Sequence, residues 1–167
     1  ITAYGIACDD HDIARLAGLF TEDAEFTSPN SNMVASGRAA IKEMYIATFK
    51  TRGPSFHWTH DVTLTMSDTD HNRATGLVLS HAETSPNGVA SIAAMRYNDV
   101  YKREPDGAWR FYKREILFLY YVPVAEYANV LNQTDRVYRG DEQHPADIPE
   151  ALDTWQSFAE QYGDDND

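Results

Sequence analysis

The chain predicts one α+β domain in which N-terminal helices pack on a curved antiparallel sheet. Three observations carry this expectation. Apolar residues recur at helical spacing twice before residue 50. From Ser55 onward, long segments rich in Thr, Val, Leu and aromatics alternate with compact polar turns. Finally, 167 residues with 43% hydrophobic and 12% aromatic content suffice for one core.

Taken in order, Ile13, Leu16, Ala17, Leu19 and Phe20 mark the first helical face, and Asp12 is the natural N-cap before it. The short stretch Ala24–Phe26 reads as a strand candidate. Thr27 to Gly37, rich in Ser, Asn, Pro and Gly, reads as a loop, with Gly37 at the start of a second helix carrying Ala39, Ile41, Met44, Tyr45, Thr48 and Phe49. Four strands follow, at roughly 55–66, 73–84, 89–103 and 108–122. Two of the turns between them, Ser85-Pro86-Asn87-Gly88 and Glu104-Pro105-Asp106-Gly107, supply residues that tolerate positive φ. Strands this long twist, and a twisted sheet curls around a cavity. After Pro123, one helix is expected through Val124, Tyr127, Val130 and Leu131, and a second over 148–162 with Leu152, Trp155, Phe158 and Ala159 on one face. The expected division is a domain over 1–126 and a helical extension with an acidic tail over 127–167. The closing Gly-Asp-Asp-Asn-Asp reads as a solvated end, not a metal site.

A net charge of −12 removes the phosphate attraction on which nucleic-acid binding depends, and an anionic membrane surface would repel the chain. The single cysteine, Cys8, excludes an internal disulfide and reads as a buried, inert thiol. Without a stretch long and apolar enough to span a bilayer, and with a start lacking the blocks of a signal peptide, the chain is expected in the cytoplasm. The sequon at Asn132 carries no weight without secretion. His57 and His60 share a strand three residues apart, which places them on opposite faces, and no third ligand follows, so no metal is expected. Nor is there a Gly-rich phosphate loop, so no nucleotide or flavin cofactor is expected.

The order of elements and several motifs resemble the nuclear-transport-factor-2-like, or SnoaL-like, superfamily. The carriers are LAGLFTEDAEF at Leu16–Phe26, Gly-Arg-x-x-Ile at Gly37–Ile41, and Asp-Gly-Ala-Trp-Arg-Phe at Asp106–Phe111. That resemblance implies a cone-shaped pocket. Within the superfamily the chain is most similar to the branch of scytalone dehydratase, the lindane dehydrochlorinase and bile-acid 7α-dehydratase, lyases that work without a cofactor. It implies that Asp9, six residues before Arg15-Leu16, is the aspartate of the branch, and that His57 in Phe-His-Trp-Thr-His is its histidine. Arg114, five residues after Trp109, and Tyr4, five before Asp9, match pocket residues of some members. His81 resembles a second pocket histidine. A homo-oligomer is also implied, a trimer in preference to a dimer.

The chemistry fits those residue types. A histidine is an effective base toward carbon only when one tautomer is fixed and its imidazolium is stabilised, and a carboxylate on the second ring nitrogen does both. Asp9 would orient and His57 would take the proton; Asp10 and Asp12 are the rival aspartates. Arg114 and Tyr4 would stabilise developing negative charge, unless Arg114 is a surface cross-strand partner and Tyr4 a packing residue. His81 would be either a second acid for a departing hydroxyl or a hydrogen-bonded wall residue. Phe26, Trp58, Tyr97, Phe118 and Tyr120 are the expected lining for a hydrophobic, ring-containing small molecule. The expected activity is a lyase that removes a carbon-bound proton and expels water or another β-leaving group. An isomerase, cyclase or aldol-type lyase using the same base is the alternative, and a non-catalytic binding or subunit-association module the second.

Overall fold

A computed structural model describes residues 1–163. Helix α1 (Thr2–Asp9) buries Tyr4, Ala7 and Cys8 against the sheet. It lies close there because Gly5 has no side chain: a Cβ at that position would stand 3.1 Å from the Cβ of His57. The chain turns through His11, at φ 52°, into α2 (Ile13–Gly18), whose first turn is capped by Asp12 Oδ1 accepting from the Arg15 amide at 2.9 Å. That use of Asp12 leaves Asp9 free.

Strand β1 (Phe20–Ser28) begins earlier than the Ala24–Phe26 stretch, and Phe20 belongs to it instead of to the helix before it. The segment expected as a loop contains a short strand, β2 (Met33–Ser36), paired antiparallel with β1 from Ser28↔Met33 to Glu25↔Ser36. Its four residues are too few to display an alternation inside Ser- and Asn-rich surroundings. Helix α3 (Arg38–Phe49) starts after Gly37, at φ 86°, and buries Ile41 and Tyr45.

The four expected strands form an antiparallel meander: β3 (Phe56–Met66), β4 (Arg73–Thr84), β5 (Ser91–Arg103) and β6 (Trp109–Pro123). Its turns take the expected form, with Asn87 and Gly88 both at positive φ and Gly107 at 81°. The order across the sheet is β2-β1-β6-β5-β4-β3, and β1 runs parallel to β6. The sheet is therefore mixed and not wholly antiparallel. No local turn joins β1 to β6, so their pairing leaves no local signal in the sequence. Register shifts between Thr59 and Val62, between Ala94 and Met95, and between Val100 and Tyr101 mark bulges that bend the strands around the helices. Phe20, Phe26, Ile41, Tyr45, Val78 and Phe111 fill the space between.

Beyond β6 the expected helix shrinks to a 3-10 turn at Val124–Glu126 and the four-residue α4 (Tyr127–Val130). An unexpected hairpin follows, β7 (Val137–Arg139) and β8 (Glu142–His144), and β7 pairs parallel with β6 at Tyr121↔Val137. Buried Arg136 secures this extension. Its guanidinium donates to the carbonyl of Leu119 at 2.6 Å and to both carboxylate oxygens of Glu150 at 2.8 Å. The final helix, α5 (Asp153–Tyr162), leaves Trp155, Phe158 and Tyr162 exposed. After Gly163, the acidic closing run lies outside the described residues. Among the described residues no helix is long and apolar enough to cross a membrane.

Candidate active site

Asp9, the last residue of α1, meets His57 near the start of β3. Asp9 Oδ1 lies 2.5 Å from His57 Nδ1 and accepts from the Ser55 hydroxyl at 3.0 Å, while Oδ2 accepts from the His57 backbone amide at 2.8 Å. Three donors thus fix one carboxylate. A carboxylate only accepts, so Nδ1 carries the proton in the neutral ring and Nε2 keeps its lone pair. The His57 side chain is 9% exposed. Burial pushes its pKa below the ordinary 6.5 against the upward pull of Asp9, and the charges of Arg52 and Arg114 add to the lowering. The ring is accordingly neutral and able to accept a proton near pH 7.

Tyr4, also on α1, is buried, and its hydroxyl is hydrogen-bonded to that of Tyr45 on α3. Burial holds both phenols well above their usual pKa, so both remain proton donors. Behind Tyr4 lies Arg114. Its guanidinium carbon sits 4.1 Å from the Tyr4 ring centroid, 4.4 Å from that of Tyr97 and 4.0 Å from that of Phe111. Nε and Nη2 donate to Asp99 at 2.8 and 2.7 Å, and Tyr101 donates to the same carboxylate at 2.6 Å. Burial opposes the Arg114 charge, but Asp99 more than offsets it. Arg114 is therefore in a cross-strand ion pair with Asp99, but a buried one and not a surface one, and it does not line the cavity; its charge reaches the site through Tyr4.

His57, Tyr4 and Tyr45 line an internal cavity of about 50 Å³. Phe26, Tyr97 and Phe118 line it as expected, with Met95, Ile116 and Tyr121 beside them. Three expected residues lie elsewhere. On β3 and β4, His57 pairs with Ala82, and both line the cavity, whereas Trp58 pairs with His81 and both are exposed on the outer face. Strand parity therefore removes Trp58 and His81 together. His81 Nδ1 instead lies 2.9 Å from Nε2 of His60, and its ring is near Tyr120. Tyr120 is turned outward because Ala94 pairs with it while Met95 pairs with Phe118, skipping Leu119. The bulge gives the inward place to Tyr121, whose hydroxyl is 2.8 Å from Thr84 Oγ1.

Sequence reasoning missed Tyr45, Ser55, Arg52 and Tyr121. Tyr45 was read only as part of a helical face, and a bulge cannot be located from composition. Cys8 is buried, and that burial pushes its thiol up to about 12, which removes it as a nucleophile at neutral pH. Among the described residues no group of three His, Cys, Asp or Glu side chains is arranged to hold a metal.

A family model described as a SnoaL-like domain matches residues 1–115. No curated protein matches the chain. Several solved structures share its fold. A hexachlorocyclohexane dehydrochlorinase, LinA Type2, superposes with a TM-score of 0.67 at 19% identity, over 74% of this chain and 82% of its own. A protein provisionally named a scytalone dehydratase, from Novosphingobium aromaticivorans, gives 0.67 at 21% identity over 88% of each chain. A ketosteroid isomerase-like protein from Erwinia carotovora atroseptica gives 0.57 at 22%, over 70% of this chain and 88% of its own.

Proposed function

This chain belongs to the SnoaL-like domain family, and we propose that it is a cofactor-independent lyase acting on a hydrophobic, ring-containing small molecule. The observation that supports this most is the contact of Asp9 with His57 at the wall of a largely apolar and aromatic cavity. His57 Nε2 takes a proton from carbon next to an activating group. The released electron pair forms a carbon–carbon double bond as the bond to the β-leaving group breaks. Asp9 holds the ring and stabilises the imidazolium, while the hydrogen-bonded Tyr4–Tyr45 pair, in which one hydroxyl donates to the other, presents its remaining O–H to the oxygen that gathers charge, with Arg114 behind Tyr4. The named activities of the dehydrochlorinase and dehydratase relatives agree with this class.

A second reading, proton transfer without a leaving group as in an isomerase or cyclase, gains from the outward placement of His81. Loss of water needs an acid, and with His81 outside the cavity that role falls to the tyrosine hydroxyls or to the His57 imidazolium itself. The test is to incubate the protein with hydrophobic β-hydroxy, β-halo and β,γ-unsaturated carbonyl compounds in deuterated water. Elimination product with His57-dependent loss of the carbon-bound proton is expected. Deuterium incorporation or double-bond migration without elimination selects the isomerase. No exchange with any class leaves the non-catalytic binding module as the better reading.

A further inference from the structure

Arg52 follows α3 and leads into β3, and its side chain is half-buried in the wall of the cavity that holds His57. Arg114, behind Tyr4, is neutralised by Asp99, and Arg139, on the outer depression, donates to the carbonyls of Asn30 and Pro29. Arg52 is not so engaged. Among the described residues no carboxylate lies within ion-pair distance of it and its guanidinium makes no hydrogen bond. An unpaired, partly desolvated cation is costly to hold in place. Other cations among the described residues also lack a carboxylate partner, but Arg52 is the one whose side chain lines the cavity that holds His57.

The surroundings of Arg52 point to what would pair with it. Arg52, Ser31 and Tyr121 line both the inner cavity and an outer depression of about 330 Å³ against the β7 hairpin, so they form the neck between the two. Beside that neck, Ser28 Oγ is buried, lines the inner cavity and has no hydrogen-bond partner. A guanidinium fork with five donors and a spare hydroxyl suit a carboxylate, which only accepts. Thr84 Oγ1, which also lines the inner cavity, is engaged with the Tyr121 hydroxyl at 2.8 Å, and Met95, Ile116 and Phe118 add apolar and aromatic lining. Arg52 is also near enough to His57 for its charge to depress the imidazole.

We propose that the substrate carries a carboxylate that Arg52 receives at the cavity neck, with its apolar part directed inward to His57. The inner cavity alone, at about 50 Å³, is below the several hundred Å³ of a typical small-molecule site, so the ligand spans the neck and draws on the outer depression. Arg52 is thus the residue that selects an acid over its neutral analogue and sets which carbon faces Nε2. The inference deepens the reading of the cavity as a proton-abstracting site, but the anion preference is measured without turnover.

The test uses benzoate and benzamide, isosteric probes of opposite charge type, titrated into the protein while the His57 ring signals are followed by NMR. The native chain is expected to bind benzoate about ten-fold tighter or more, the scale of one charge-assisted hydrogen-bond pair. Arg52→Gln should bring benzoate down to the benzamide level, leave benzamide unchanged and move the His57 titration midpoint upward. Arg52→Lys should restore part of the preference, which a merely structural role would not require. Equal binding of the two probes, a preference that survives Arg52→Gln, or no perturbation of the site by either probe overturns the proposal. The benzoate preference should persist in His57→Gln, followed there through the Tyr45 ring. A preference with no carbon–hydrogen exchange would therefore reject the lyase reading alone, and exchange without a preference would reject the carboxylate alone.

Discussion

At the scale of single residues, the site is built from groups held in one protonation state each by their surroundings. Tyr4 and Tyr45 stay protonated because burial penalises phenolate, and Arg114 stays charged because Asp99 answers it. Only His57 is left near its switching point, since burial lowers its pKa while Asp9 raises it. With the pKa below 6.5, lowering the pH protonates the base only under that value, so the acidic limb of kcat/KM is expected below pH 6.5. Asp9→Asn tests the tautomer argument. An amide at that position offers an N–H toward Nδ1, which drives the ring proton to Nε2 and blocks the lone pair that faces substrate. A fall of roughly 10²–10⁴-fold in kcat is expected, with the fold retained by circular dichroism. A variant of near-native rate would mean that Asp9 serves packing and not the base.

At the scale of elements, the Asp9–His57 contact depends on how closely α1 approaches β3, and Gly5 sets that approach. Gly5→Ala places a methyl group 3.1 Å from the His57 Cβ, tighter than ordinary contact, so helix and strand must part by a few tenths of an ångström. We expect kcat to fall more than ten-fold, with a destabilisation of only about 1–3 kcal/mol. Proportionate loss of folded protein, with normal activity per folded molecule, would show that the spacing is not critical. The same scale explains what the sequence disclosed. Long strands separated by Asn-Gly and Asp-Gly turns are local features, as is the Asp12 cap, and each could be read directly. The aspartate–histidine pair was legible only through the family motifs, because 48 residues separate its members. Side-chain direction failed wherever it depended on partner strands. His81 was misplaced for want of its register with Trp58, and Tyr120 for want of the bulge at Leu119.

At the scale of the whole molecule, the inner face of the sheet is covered by α1, α2 and α3, while among the described residues the outer face is bare over β3 and β4. Trp58 is 57% exposed there, and Phe56, Leu77 and Leu79 are exposed beside it. A second apolar surface, on α5, is equally uncovered, with Phe158 64% exposed between Trp155 and Tyr162. Contiguous apolar surface of this kind marks an association site. One chain that carries both a bare sheet face and a bare amphipathic helix can satisfy each with a second copy of itself, in equal numbers. The homo-oligomer implied by the family resemblance, a trimer in preference to a dimer, is therefore expected to bury the outer sheet face and to seat α5 at its edge. Light scattering coupled to size exclusion should give a mass of two or three chains, about three being expected. Leu77→Glu with Leu79→Glu puts charges on the bare face without touching the cavity, since both side chains point away from His57. That variant should run as a monomer with an unchanged His57 NMR titration. A native chain that is already monomeric would sink the expectation, and an oligomer that survives both glutamates would move the interface off this face. A monomeric variant whose His57 titration shifts would mean that the neighbouring copy helps to close the cavity.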